Sequence, residues 1–351
     1  MSVLGSRPEI IQAASLSTAL REHVEELLIH TGQHYDDELS LEQIVDTRLP
    51  LPDRNLGVGS RSDVDQLAVG EARVAEVLDA ESPDGMLVRG DTNATLSGAR
   101  AAASRDLPLF HVEAGLRAFR TDMPEERNRE EADRLADVLF APTSTAVANL
   151  EAESVAGEIV LSGDVLRDMF EAWRPHVPSG RAWPGEYVLA TVHRNFNTDF
   201  PERLQSVLDC LGRAPWPVLF PIHPRTSERI EAWRLRVPAN VHPVRPVPYT
   251  RMLALERDAR AIATDSGGVV RESYLWGVPC VTLREETEWV ETVETGWNVA
   301  TGVDEEWFAA AIQRPAPSER PPIFGEGRAA PRIAGLVADY LTSQRERTAA
   351  A

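Results

Sequence analysis

The chain lacks lysine altogether, so all 36 of its basic side chains are arginine. A Walker A loop, a Schiff-base lysine and the ATP-binding lysine of a kinase are therefore excluded. The 55 acidic residues outnumber the arginines and give a net charge of −19. This charge does not support nonspecific binding to nucleic acids or anionic membranes, so any phosphate group must be held by local contacts.

Cysteine is almost absent as well, because Cys210 and Cys280 are the only two. Two lone thiols in apolar segments indicate a reducing compartment rather than a disulfide framework or a zinc site. Hydrophobic runs stay well short of the roughly 18 residues that suggest a membrane-spanning helix, and the N-terminal residues show no signal-peptide pattern. We therefore expect a soluble, cytoplasmic protein.

Short apolar runs alternate with amphipathic helical patterns along the chain, which predicts an α/β fold with two parallel sheets. Strands are predicted at 26–30, 85–89, 108–112, 138–141 and 159–161, and in a second series at 187–192, 218–222, 259–264 and 280–283. Predicted helices include 8–21, 63–79, 92–104 and 330–344.

Residues 173–186 carry Pro and Gly at positions that should break any helix or strand, which predicts an interdomain linker. We expect one Rossmann-like lobe at 1–172 and a second at 187–325. The remaining segment, 326–351, should form a C-terminal helix and tail that pack back on the first lobe.

The segment 264–272 follows an apolar strand and leads into a helical pattern. Ser266, Gly267 and Gly268 would let the backbone approach a ligand closely, and the helix start offers N–H groups and a positive dipole end to an anion. Glu272, about one and a half turns into the helix, could accept hydrogen bonds from a ribose diol. The alternative interpretation is an ordinary capped turn.

Polar segments also follow other predicted strands, where ligands of open parallel sheets bind. They are 5–9, 90–93 and 111–117 in the first lobe, and 191–194 and 223–226 in the second. No Gly-x-Gly-x-x-Gly follows a strand, so a dinucleotide site is not predicted.

Together these segments resemble the non-hydrolysing UDP-N-acetylglucosamine 2-epimerases, whose two lobes face a cleft as in the GT-B glycosyltransferases. The resemblance covers most of the chain and depends on the order and spacing of several motifs. They are HTGQHYD at 30–36, DTNATL at 91–96, HVEAGLR at 111–117, PEERNR at 124–129, FAPT at 140–143, TDSGGVVRE at 264–272, GVPCVTLR at 277–284 and TEWVET at 287–292.

The resemblance implies reversible epimerisation at C2 of UDP-N-acetylglucosamine, by elimination of UDP to a 2-acetamidoglucal and re-addition on the other face. It implies no metal and no other cofactor, and a homodimer. Asp91, Glu113 and Glu125 match the family's acidic residues, and His193 matches the histidine that faces the diphosphate. Which carboxylate takes the C2 proton stays open.

The remaining substrate-binding residues are expected on both lobes. Arg7 and Arg129 would contribute from the first lobe, and the 249–252 turn, with Met252, would cover the uracil. Ser266, Gly267, Gly268 and Glu272 would hold the diphosphate and ribose. His223 and Arg225 are explained adequately by a Pro-containing turn.

Four departures from the family pattern limit this comparison. Gln12 replaces a lysine of many relatives, which removes a cation from the phosphate side. Only Met1 to Leu4 precede Gly5, which indicates a misassigned start or a shortened edge strand. Residues 33–36 lack the pattern linked to allosteric activation, and Trp289 stands where some relatives have arginine.

Other functions remain compatible with these residues. One is a 2-epimerase of a modified UDP-sugar such as a diacetamido uronate, and another is a hydrolysing epimerase. From different classes, a GT-B glycosyltransferase would need an acceptor groove, and an inactive UDP-sugar sensor would not need the three carboxylates of the first lobe.

Overall fold

The computed structural model describes residues 1–32, 44, 47–59, 61–120 and 123–350, without the side chains of Arg7, Pro8, Thr348 and Ala350. The chain divides into two compact units, one of Met1–Ala172 with Pro322–Ala351 and one of Trp173–Pro321. Each unit is built on a parallel sheet, so the predicted fold class is confirmed. Within the described ranges, no helix is long and apolar enough to cross a membrane.

The first unit contains a parallel sheet in the order β3-β2-β1-β4-β5-β6-β7. Its strands are β1 Ser2–Leu4, β2 Leu28–His30, β3 Arg54–Asn55, β4 Met86–Arg89, β5 Leu109–Val112, β6 Val138–Ala141 and β7 Glu158–Leu161. Its helices are α1 Arg7–Leu20, α2 Asp63–Glu81, α3 Asn93–Ala103, α4 Pro124–Leu135, α5 Ser144–Glu153, α6 Val165–Trp173 and α14 Ala329–Ala350.

Strand β1 is not an edge strand, contrary to one of the two explanations for its shortness. It pairs with β2 on one side and with β4 on the other. All three of its residues are buried, as expected for a strand covered on both faces.

The second unit contains a parallel sheet in the order β10-β9-β8-β11-β12-β13. Its strands are β8 Val188–Thr191, β9 Val218–Pro221, β10 Val241–Val244, β11 Ala261–Thr264, β12 Cys280–Thr282 and β13 Asn298–Ala300. Its helices are α7 Asn195–Thr198, α8 Pro201–Gly212, α9 Pro224–Ala232, α10 Tyr249–Asp258, α11 Gly267–Trp276, α12 Val290–Glu294 and α13 Glu305–Ala311.

The start of the proposed linker is helical, so the prediction that 173–186 contains no helix was wrong for its first residues. Helix α6 continues to Trp173, and a 3₁₀ turn follows at Arg174–His176. Proline is compatible with this turn because Pro175 stands near its start, where a backbone donor is not needed.

Each unit has its own apolar core. In the first, Leu16, Phe110 and Phe140 pack with Ile333 and Val337 of α14. The predicted C-terminal helix therefore completes the core of the first unit, although it follows the second unit in sequence.

Strand order places a topological switch point in each sheet. In the first sheet the chain runs outward in opposite directions from β1 and β4, and in the second from β8 and β11. Ligands of such sheets bind at the carboxyl ends of the strands beside this point. The segments after these four strands contain most of the predicted site residues.

Candidate active site

Asp91 follows β4 and forms an ion pair with Arg129 of α4. Arg129 also pairs with Glu126 at 2.9 Å between Nη1 and Oε2. Asn128 donates to the backbone carbonyl of Asp91 at 3.1 Å. Helix α4 therefore fixes both the backbone and the carboxylate of Asp91, and Arg129 acts on a predicted catalytic residue.

Glu113 follows β5 and adopts a left-handed backbone conformation with φ of 69°. Non-glycine residues in this region are uncommon and concentrate at functional sites. The Gln12 side-chain amide donates to Glu113 Oε2 at 2.5 Å, and Gln12 is buried. The residue that departs from the family lysine thus contacts a predicted acid.

Strand pairing brings the Asp91 and Glu113 segments together. Arg89 of β4 lies opposite Val112 of β5, so Asp91 and Glu113 follow directly from adjacent strand ends. Glu125 lies one helical turn before Arg129 on α4, which puts it on the same helix face as the partner of Asp91. Glu125 is partly exposed.

Glu9 connects the loops that follow β1 and β4. One carboxylate oxygen accepts from the backbone N–H groups of Gly5 and Ser6 at 2.8 and 2.7 Å, and the other accepts from Thr92 Oγ1 at 2.8 Å. Burial raises the pKa of Glu9, and these hydrogen bonds partly offset the rise. Arg7 begins α1 in this loop, but its side chain lies outside the described part of the structure.

His111 and Asp133 support the same strand ends from within the fold. Both side chains are fully buried, and His111 Nδ1 lies 2.7 Å from Asp133 Oδ1. The other ring nitrogen donates to the carbonyl of Gly90 at 2.8 Å. Asp133 also accepts from Gly115 N at 3.1 Å and pairs with Arg117 at 2.8 Å. The backbone on either side of Glu113 and before Asp91 is therefore held by one buried network.

In the second unit, Asp265 holds the segment that carries His193. Asp265 is fully buried and accepts from the backbone N–H groups of His193 and Arg194, at 3.1 and 3.0 Å. His193 Nδ1 lies 3.5 Å from Asp265 Oδ1, while its side chain is 45% exposed. The histidine is thus anchored through its backbone and presents its ring to solvent.

The segment after β11 begins helix α11 as predicted. Ser266 is the N-cap, and its hydroxyl accepts from Val269 N at 3.4 Å. A Cβ on Gly267 would lie 2.8 Å from Glu288 Oε1 and from Trp289 Nε1. A side chain there would displace the Glu288 carboxylate and the Trp289 ring. Gly268 follows in the first turn, where backbone N–H groups have no intrahelical acceptor.

Glu272 lies on the buried side of α11 and accepts from the Tyr249 hydroxyl at 2.7 Å. Burial and the neighbouring carboxylate of Glu272 raise the pKa of Tyr249 well above its usual value. The predicted turn at 249–252 is instead the first turn of α10, which holds Met252 at a partly exposed position.

His223 and Arg225 make none of the contacts described above. His223 caps α9, and Arg225 pairs with Asp199 at 3.0 Å on the surface, so both have structural roles. The motif part 33–36 lies outside the described residues.

Sequence reasoning assigned no site role to Glu126 or Asp265, which the structure connects to predicted residues. It also did not predict the contacts that Gln12 and Tyr249 make with Glu113 and Glu272. Glu126 and Asp265 stand inside quoted motifs, next to Glu125 and Ser266, so the motifs could have pointed to them. Nothing in the local pattern indicates the contacts of Gln12 and Tyr249, because their partners are distant in sequence.

Comparison with known proteins gives a match along most of the chain. The sequence profile of the family described as UDP-N-acetylglucosamine 2-epimerase matches residues 18–338. A Methanococcus maripaludis protein named UDP-N-acetylglucosamine 2-epimerase homolog is 40% identical, over 95% of this chain and 97% of its own. The UDP-2,3-diacetamido-2,3-dideoxy-D-glucuronate 2-epimerase of Pseudomonas aeruginosa is 38% identical, over 96% and 99%.

A solved structure is similar along the same length. It is the crystal structure of Methanocaldococcus jannaschii UDP-GlcNAc 2-epimerase in complex with UDP-GlcNAc and UDP. The TM-score is 0.89 at 33% identity, with 96% of this chain and 98% of that chain covered.

Proposed function

We propose that this chain, which belongs to the UDP-N-acetylglucosamine 2-epimerase family, interconverts UDP-N-acetylglucosamine and UDP-N-acetylmannosamine by inverting C2. A direct proton exchange at C2 is unfavourable, since this carbon is not next to a carbonyl. Elimination avoids the difficulty because the C1–O bond to UDP breaks as the proton leaves C2.

The reaction balances without any external oxidant or reductant. A carboxylate takes the C2 proton, the electron pair forms the C1–C2 double bond, and UDP departs with the electrons of the C1–O bond. The products are UDP and 2-acetamidoglucal. Re-addition of UDP to C1, with a proton delivered to the opposite face of C2, gives the epimer.

Asp91, Glu113 and Glu125 are proposed as the acid and base groups of these steps. Such groups must be oriented within hydrogen-bond reach of the proton they move. The contacts of Asp91 with Arg129 and of Glu113 with Gln12 support this role, because they fix both carboxylates.

The second unit is proposed to bind the UDP half. The start of α11 at Gly267 and Gly268 offers backbone N–H groups and a dipole end to the diphosphate. Glu272 would bind the ribose with its position set by Tyr249, and Met252 would contact the uracil. His193, on the same unit, would meet the departing diphosphate, where developing negative charge needs donors.

The observation that supports this function most is the placement of the three acids. They lie at the ends of adjacent strands β4 and β5, and on the helix whose Arg129 pairs with Asp91. A protein that only binds UDP-sugars has no use for such an arrangement.

A diacetamido uronate is the second candidate substrate. The specific observation in its favour is the 38% identity to the Pseudomonas aeruginosa enzyme over nearly the whole length of both chains. Both substrates would undergo the same chemistry at C2.

The test is incubation of the purified protein with UDP-N-acetylglucosamine in deuterium oxide, followed by proton NMR. We expect a mannosamine nucleotide that carries deuterium at C2. Free N-acetylmannosamine would instead indicate hydrolysis. Unchanged substrate, with conversion of the diacetamido uronate nucleotide in a parallel sample, would select the second candidate.

Two broader expectations belong with this proposal. We propose that the protein works as a homodimer, as its family resemblance implies, and that it is cytoplasmic, which its two lone thiols favour. Sedimentation velocity on the purified chain tests the dimer. Fractionation of the source cells tests the location.

A further inference from the structure

Phe119 combines two features that are unfavourable for an ordinary surface residue. Its side chain is 76% exposed, and its backbone is left-handed with φ of 57°. A positive φ at a bulky residue is strained, and such strain collects at ligand-binding segments. Phe200 provides the contrast, because it is 61% exposed but has an ordinary φ of −123°.

The backbone at Phe119 is hydrogen-bonded to a buried carboxylate. Glu126, which is 1% exposed, accepts from Phe119 N at 2.9 Å and from Ala118 N at 3.0 Å. Arg117, just before, is buried and bound to Asp133 and Glu153. The backbone is therefore anchored tightly while the phenyl ring stays outside the core.

The same carboxylate connects Phe119 to the candidate active site. Glu126 pairs with Arg129, and Arg129 pairs with Asp91. In sequence, Phe119 stands midway between Glu113 and Glu125.

We propose that Phe119 is a specificity-determining residue that packs its ring against the 2-acetamido group of the bound sugar. This inference rests on the proposed function and names the part of the substrate that the first unit recognises. An acetamido methyl is apolar, and an exposed aromatic ring held in one place can cover it at little further cost in conformational entropy. The nucleotide half would not depend on Phe119.

The experiment compares Phe119→Ala and Phe119→Gly with wild type by calorimetric titration of UDP-N-acetylglucosamine, UDP-glucose and UDP. Glycine tolerates the positive φ, so it keeps the loop conformation if alanine does not. We expect about tenfold weaker binding of UDP-N-acetylglucosamine in both variants. Binding of UDP-glucose and UDP should stay unchanged, and Phe119→Leu should recover most of the loss.

Phe200→Ala is the matched control, since it removes an exposed phenyl ring from the other unit and should alter none of the three titrations. The inference is wrong if the Phe119 variants bind all three ligands as wild type does, or if UDP weakens equally. If wild type fails to convert UDP-N-acetylglucosamine, the proposed function fails. If wild type and Phe119→Gly convert it with equal kcat/KM, only the role of Phe119 fails.

Discussion

Individual carboxylates in the first unit are held by different partners. Asp91 has the cationic Arg129, whereas Glu113 has the neutral amide of Gln12. Both contacts orient a carboxylate, but only the first also supplies charge. Orientation of an acid or base before the substrate binds is a large part of its catalytic effect.

Replacing Asp91 tests whether this residue moves a proton. Asp91→Asn keeps the size of the side chain but cannot act as a base, so turnover should fall by about 10²–10⁴-fold. UDP binding should remain, because UDP is assigned to the second unit. NMR turnover and calorimetry measure the two effects, with the exposed Glu151→Gln as control. Lost UDP binding in a folded variant would contradict the assigned role.

The buried Asp133 allows a test of how the stability of the fold depends on pH. Burial opposes its ionisation, but the charges and hydrogen bonds of His111 and Arg117 more than offset this, so the pKa of Asp133 lies below its usual value. A carboxyl with a lowered pKa stabilises the fold above its unfolded pKa of about 3.9. That stabilisation is lost as the pH falls through the folded pKa.

Asp133→Asn should therefore lower the free energy of unfolding by about 3–5 kcal/mol at neutral pH. The difference from wild type should shrink below about pH 4. Urea unfolding of both proteins at neutral and acidic pH measures this. A difference that grows on acidification would show that the ionised carboxylate does not stabilise the network.

At the scale of helices and strands, burial decided what could be predicted. Strands β4, β5 and β6 are mostly apolar and buried throughout, and the sequence places them within about two residues. The short β3 was missed because both of its residues are exposed and polar. Strand β10 was missed because it contains Pro243 at the sheet edge, where proline is tolerated.

The contacts within the candidate site could not be predicted from the sequence either. Asp91 was predicted from its motif and strand end, but its partner Arg129 is 38 residues away. Such a contact follows from how α4 packs against α3 and β5, which no local pattern specifies. Motifs therefore give candidate site residues, which stay predictions, and only the fold gives the partners of these residues.

Gly115 tests how strongly the loop after β5 depends on its backbone. It has φ of 80°, and an added Cβ would lie 2.3 Å from the carbonyl oxygen of Ala146. Gly115→Ala should cost at least about 2 kcal/mol of stability, because backbone on both sides must shift. Thermal unfolding measures this change.

Gly335 of α14 is the matched control for that substitution. A Cβ there meets nothing within 4 Å. Gly335→Ala should raise stability by up to about 1 kcal/mol, since alanine is the better helix former. Equal effects of the two substitutions would mean that the geometry at Gly115 is not restrictive.

At the scale of the whole molecule, the two units should differ in whether they fold in isolation. Residues 173–321 form one continuous unit with its own core, so this fragment should fold alone and bind UDP without turnover. Residues 1–172 lack α14, whose Ile333 and Val337 complete the first core. That fragment should stay unfolded unless 322–351 is joined to it through a flexible linker.

Circular dichroism and calorimetry on the three fragments check this prediction. A stable fold for 1–172 alone would show that α14 is dispensable for the first core. A folded 173–321 fragment without UDP affinity would contradict the assignment of nucleotide binding to the second unit.

The return of α14 also sets an order of events during synthesis on the ribosome. All residues of the second unit are made before Pro322–Ala351, but the first unit must wait for this last segment. The half that emerges first is thus finished last, and in the interval its unfilled apolar face is open to chaperones or to premature association.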